Sequence, residues 1–203
     1  MSKRKASKRR RRKKQKEKFS LFTALSKILK QWWHEKHPVL VFSGRFILII
    51  TLFHILRYTA FYSDRIHPSV IHSNAEGGNW FLNMFGFETR AEAGAVISSS
   101  FHMNINHGCD AVDAIIILTA IVLAFPTRWS KKLIGAFVGL LFLVVLNLIR
   151  IISLFWLGEQ HPAWFEFAHV ELWQFLFIIM TLAFCALWIR WSLVGDFQKL
   201  KPA

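Results

Sequence analysis

The chain has little charge, few cysteines and no internal repeat. Charged residues make up 19% of its 203 positions, against roughly a quarter in soluble domains. Two cysteines, Cys109 and Cys185, are too few for a disulfide scaffold or a four-cysteine zinc site. Acids are scarce too, 12 against 26 Lys and Arg. The imbalance is local. Residues 1–20 hold twelve basic residues and one acid, Glu17, so they supply +11 of the formal +14 and leave only +3 for the remainder. A basic nucleic-acid-binding globule is therefore a poor description of the body. With 54% hydrophobic residues and a mean hydropathy of +0.34, an ordinary soluble enzyme is excluded.

What is present points to a bilayer. Residues 1–18 form a basic, low-complexity tail that cannot bury a core and is expected to be disordered and cytoplasmic. It has no apolar run of the kind a cleavable signal peptide needs. From 19 to 38, Leu21, Phe22, Leu25, Ile28, Leu29, Trp32 and Trp33 fall on one side at helical spacing, and Lys27, Lys30 and His34 on the other. This predicts an amphipathic interfacial helix stopped near Pro38. A membrane domain over 39–190 follows, with apolar segments at about 39–62, 109–125, 133–157 and 170–189, and a C-terminal tail over 191–203. The second segment is short, so it is expected to extend back through Cys109 and Asp110 to reach the roughly 20 residues of a span. The expected fold is thus an all-α polytopic membrane protein with about four transmembrane helices.

The flanks give an orientation. The N-terminal tail, the Pro126–Lys132 loop and the C-terminus are basic, whereas Ser63–Gly108 and Gly158–Ala168 are poor in Lys and Arg. Positive-inside bias places both termini in the cytoplasm and these two connections outside the cell or inner membrane. Within the first connection, Asn79–Phe85 predicts a short interfacial helix ended by Gly86. The alternation of Phe101, Met103 and Ile105 with His102, Asn104 and Asn106 predicts a strand or short β-hairpin.

Three side chains on different segments reach similar depth at the outer face. Cys109 lies where the first outer connection enters segment two, and His169 where the second enters segment four. Arg150 is 17 residues beyond Leu133, about 25 Å of helical rise across a core about 30 Å thick. A guanidinium inside a span usually faces the bundle interior. Here it would favour a thiolate and stabilise an oxyanion, while His169 served as acid and base. Asn147, one turn before Arg150, is placed to orient it, and Asp113 to pair with Arg150 or His169. Singly, Cys109 reads as apolar filler, Arg150 as a snorkelling side chain and His169 as an interfacial histidine; their common depth favours chemistry. Cys185, deep in segment four, is read as filler.

At these residues the sequence resembles the exosortase/archaeosortase family of multi-pass membrane transpeptidases. The resemblance covers roughly Asn79 to Ile189: Leu82–Gly86, Val96–Asn106, Gly108-Cys109, the Asn147-Leu148-Ile149-Arg150 run and the isolated His169. It implies a small, minimal-core member acting on membrane-anchored proteins that end in a sorting signal, a short motif followed by an apolar span and a basic end. Cys109 would be the nucleophile, Arg150 the thiolate and oxyanion stabiliser, and His169 the acid/base. Asp110-Ala111 departs from the small residues that follow the cysteine in many members. No cofactor and no nucleic-acid partner are expected; the basic tail is expected to hold anionic lipid headgroups. Two other readings stay open, a non-enzymatic membrane scaffold and a metal- or ion-handling protein using His102, His107, Cys109, His161 and His169. No HxxxH or CxxC spacing supports the metal, and Arg150 opposes a cation nearby.

Overall fold

In the computed structural model, the described residues are 30–31, 33, 36–105 and 108–197. The chain divides into two units, 1–44 and 45–203. In the first, the described residues are helical, and the Trp33 ring lies 5.4 Å from that of His37. The expected basic tail, most of the expected amphipathic helix and the last residues of the C-terminal tail lie outside the described residues. One correction falls here. Pro38 does not stop a helix: it lies near the start of α1 (Lys36–Arg57), where a missing backbone N–H is tolerated.

Among the described residues, three helices are long and apolar enough to cross a membrane: α1, α4 (Trp129–Gln160) and the run Pro162–Val194. That last run comprises α5 (Pro162–Phe167), a π-helical turn over Ala168–Leu172, and α6 (Trp173–Phe197). A shorter apolar helix, α3 (Val112–Ala124), has 13 residues, about 20 Å of rise against a core of about 30 Å. The expected extension of this segment back through Cys109 and Asp110 does not occur. Gly108 and Ala111 take φ of 86° and 61°, in the left-handed region that a right-handed helix cannot pass through. Asp110 Oδ1 instead accepts the Val112 N–H at 3.2 Å, so the helix starts at Val112 and Cys109 rides on a turn. At the other end of the chain, α6 continues past Ile189 to Phe197.

The connection between α1 and α3 is more structured than its polarity suggests. A π-helical turn (Tyr62–Ile66) leads into α2 (His67–Met84), so Asn79–Phe85 forms the end of an 18-residue helix and its margin, not a separate one. Small residues let α2 approach α4 closely. A Cβ on Gly78 would come within 2.6 Å of Ile151 Cγ2, and Ala75 beside it is fully buried. Strands β1 (Arg90–Glu92), β2 (Ala95–Ile97) and β3 (His102–Asn104) form an antiparallel sheet in that order. Ala93 and Gly94, at φ of 49° and 84°, make the tight β1–β2 turn that twisted hairpins favour. Met103 and Ile105 are buried, and His102 and Asn104 are exposed.

Two apolar clusters result. One joins α2, the sheet, the C-terminal part of α4 and the second π-helical turn around Leu82, Val96, Met103, Ile151 and Phe155. The other joins α3, α4 and α6 around Leu118, Leu143, Phe177 and Trp188. Trp173 packs against both, and Cys109 against the first.

Candidate active site

The cysteine turn is gripped from three sides. On α4, Arg150 is 5% exposed, and its Nη1 donates to the Gly108 carbonyl at 2.8 Å. Its Nη2 reaches Cys109 Sγ at 3.5 Å and the His169 carbonyl at 3.4 Å. The Phe177 ring from α6 lies 5.6 Å from the guanidinium carbon. A buried guanidinium needs partners for its five N–H groups, and here the backbones of both neighbouring site residues provide them. Its Nε has no hydrogen-bond partner among the described residues.

His169 sits in the π-helical turn between α5 and α6, a wide turn that departs from α-helical phase and often occurs at functional sites. Its Nε2 is 2.7 Å from Cys109 Sγ. The ring stacks on Phe165, 5.5 Å away at 25° between planes, so its aim is set by an aromatic platform one turn earlier. Thiol, imidazole and guanidinium thus meet at one point from three elements that the sequence separates by 41 and 19 residues.

Two sequence expectations about supporting residues need correction. Asn147 does not orient the guanidinium. Its Nδ2 donates to Asn74 Oδ1 on α2 at 3.0 Å, and Asn74 Nδ2 reaches the Asp110 carbonyl at 3.5 Å. Asn147 therefore holds the cysteine turn through α2, a helix that hydropathy did not reveal. Asp113 pairs with neither Arg150 nor His169. It forms an ion pair with Arg57 at the end of α1, because helix α3 starts only at Val112 and its first turn faces that way. The sequence reading missed Asn74, Phe165 and His67, whose Nε2 lies 3.8 Å from the buried Asp110 Oδ2. Asp110 was legible only as a neighbour of the thiol. Its role in closing the turn follows from the left-handed residues on either side, which no spacing signals. Cys185 is buried in the α3–α4–α6 cluster.

A cavity of about 120 Å³ is lined by Cys109, Arg150 and His169 together with His102–Ile105 and Phe165. A larger, mostly apolar cavity of about 320 Å³ lies between α3 and α6 and also touches Arg150. Among the described residues no group of three or more His, Cys, Asp or Glu converges as a metal site would require.

Beside Arg57, the environment of Tyr62 alters its ionisation. Burial, the largest influence, pushes its phenol above the ordinary value, and Arg57 pulls in the opposite direction.

Chemically, a thiol within hydrogen-bond reach of an imidazole, beside a buried guanidinium, meets the geometric requirement for an activated sulfur nucleophile with an adjacent anion stabiliser. Compared with known proteins, no curated protein and no solved structure matches the chain. A family model, that of the transmembrane exosortases, matches residues 26–188, which takes in Cys109, Arg150 and His169. Membrane-length helices and this match over most of the sequence lead to one assignment: the chain belongs to the transmembrane exosortase family.

Proposed function

We propose that this protein is a membrane-embedded cysteine transpeptidase or protease that cleaves the C-terminal sorting tails of exported, membrane-anchored proteins at the outer face of the cell membrane. Family membership supports a membrane transpeptidase and sorting role. The observation that carries the finer reading is the 2.7 Å contact between Cys109 Sγ and His169 Nε2, made beside the guanidinium of Arg150.

In this mechanism His169 takes the Cys109 proton, and the sulfur attacks the scissile carbonyl. Arg150 stabilises the thiolate beforehand and the oxyanion that forms. Collapse breaks the C–N bond, the leaving amine takes the proton from His169, and a thioester to Cys109 remains. His169 then deprotonates an incoming amine or water. That nucleophile attacks the thioester and releases the thiol. Asn147 and Asn74 act as positioning residues, through the turn.

The accompanying topology has four spans, α3 being the short one, with both termini in the cytoplasm and the thiol at the outer face. The basic tail binds anionic headgroups, each Lys or Arg contributing about 1 kcal/mol near a charged leaflet. Deleting residues 2–18 is expected to change abundance or insertion while processing per molecule persists.

The test is paired. Cys109→Ala is expected to stop processing of a tail-bearing substrate in cells without preventing membrane insertion, and unchanged processing would end the cysteine-enzyme reading. In parallel, the rate of Cys109 alkylation is followed across pH in the unmodified protein and in Arg150→Ala. A profile displaced by the substitution supports the thiolate role. An unmoved profile with lost processing assigns Arg150 to the oxyanion alone.

A further inference from the structure

β3 is an outer strand of its sheet, and its open edge borders the thiol cavity. Its pairing fixes which backbone groups face that way. In an antiparallel ladder, residues alternate between those that bond to the neighbouring strand and those whose N–H and C=O point away from it. The β2–β3 register pairs Val96 with Met103. The flanking bonds run from Ser98 N–H to the Phe101 carbonyl at 2.8 Å and from Ile105 N–H to the Gly94 carbonyl at 3.0 Å. Phe101, Met103 and Ile105 therefore bond inward. His102 and Asn104 turn their amides and carbonyls to the open edge, where among the described residues they find no backbone partner.

An unpaired strand edge is a template for another strand, and proteins usually blunt it with charge, proline or a covering segment. The edge of β3 carries none of these among its own residues. It is also rigid, because Met103 and Ile105 are locked in the core with Ile151 and Leu154. The strand lines the 120 Å³ cavity together with Cys109, Arg150, Phe165 and His169. A helix, about 10 Å across, does not enter a cavity of that volume, whereas an extended chain lying along the edge reaches the sulfur.

We propose that the substrate segment bearing the scissile bond binds as an added strand along β3, paired to the backbone of His102 and Asn104, with one side chain directed into the cavity against Ile151, Leu154 and Phe165. This rests on the cysteine-peptidase reading and adds a substrate class to it: an extended peptide, held by its main chain and selected for an apolar side chain beside the cleaved bond. Recognition is then tolerant at residues whose side chains point away from the cavity. A tail that is helical up to the cleavage site has to unwind there before it can react.

The test uses the full-length protein in detergent micelles and peptide reagents that capture thiols by displacing chloride. Acetyl-Ala-Ala-Ala chloromethyl ketone is compared with derivatives N-methylated at each amide in turn, and iodoacetamide serves as the reference for intrinsic reactivity of Cys109. Methylation at a pairing amide is expected to slow capture about tenfold, the effect of a lost backbone hydrogen bond, while methylation at a non-pairing amide has little effect. Asn104→Pro removes an N–H that faces the open edge and leaves the β2 bonds in place; it is expected to lower the rate with the unmethylated reagent to that of the slow derivative. Capture within twofold for every derivative overturns strand addition. So does an Asn104→Pro protein that keeps the full rate. Should that variant fail to accumulate, the methylation series on the unmodified protein decides alone. These outcomes are separable from failure of the cysteine reading itself, which is scored by processing in Cys109→Ala.

Discussion

Helices α1 and α4 are similarly apolar, yet none of the α1 window is buried inside the protein and 33% of the α4 window is. Hydropathy alone does not distinguish them. The difference lies in what interrupts the apolar run. In α4 the interruptions, Gly135, Gly139, Asn147, Arg150 and Gly158, are all buried. They mark the face that packs on α2, α3 and α6. In α1, Gly44 has nothing within 4 Å of where a Cβ would stand, and the arginines Arg45 and Arg57 sit towards the ends of the apolar stretch. In a lipid-facing helix small and polar residues are incidental or terminal; in a packed one they are the contacts themselves.

This contrast can be broken or sharpened by substitution. The largest effect is expected where the α4 interruption meets the thiol. Arg150→Ala should lower processing by about a hundredfold to a thousandfold, the range for losing an oxyanion donor. Arg150→Lys should recover little of it, since an ammonium keeps the charge but not the fork that reaches Gly108, Cys109 and His169 together. Initial rates on a tail-bearing substrate at matched protein levels check this, and a fully active lysine variant would reduce Arg150 to a point charge.

Next comes packing. Gly78→Val on α2 places a side chain into Ile151 and should destabilise the protein by about 1–3 kcal/mol, the usual cost of overpacking. Gly44→Ala in α1 meets open space and should be neutral, or stabilising by up to about 1 kcal/mol through better helix propensity. Thermal midpoints of the two variants in one detergent give the comparison directly. Equal losses would mean that α1 is packed after all.

Smaller still is the Arg57–Asp113 pair, whose carboxylate side chain is 56% exposed. Exposed pairs contribute up to about 1 kcal/mol, so Asp113→Asn should leave processing within threefold. A loss comparable to Arg150→Ala would restore the pairing with Arg150 or His169 first expected for Asp113. Least of all is Tyr62→Phe. The Tyr62 hydroxyl is buried without a hydrogen-bond partner among the described residues, so removing it should cost nothing and can add up to about 1 kcal/mol, read from the same melting curves.

The same contrast explains what could be read from the sequence. The bodies of α4 and α6 announce themselves as apolar runs, and depth arithmetic along α4 was enough to bring Arg150 level with Cys109 and His169. Only the last turns of α2 were legible, because the helix buries little beyond Ala75, Gly78 and Leu82 and gives its earlier turns no stripe for periodicity to detect. Everything that depends on those earlier turns was invisible with them, including Asn74 and hence the destination of Asn147. The turn at Cys109 was misread as helix because the apolar run after it is too short for a span and was extended back through it, and a left-handed alanine at position 111 has no compositional mark. Asp113 was assigned the wrong partner for the same reason: moving the start of α3 to Val112 changes the direction of its whole first turn.

The π-helical turn at Ala168–Leu172 also sets a rule for sequence length. Such a turn holds one residue more than an α-helix would use between the same two ends. Deleting one of its five residues lets α5 and α6 merge into a continuous α-helix between the same two ends, so the wide turn that carries His169 is lost. The imidazole then loses the placement that sets it on Phe165 and beside Cys109, although composition and hydropathy hardly change. A change in the length of this stretch is thus expected to disturb the site more than a substitution at any of its four positions other than His169.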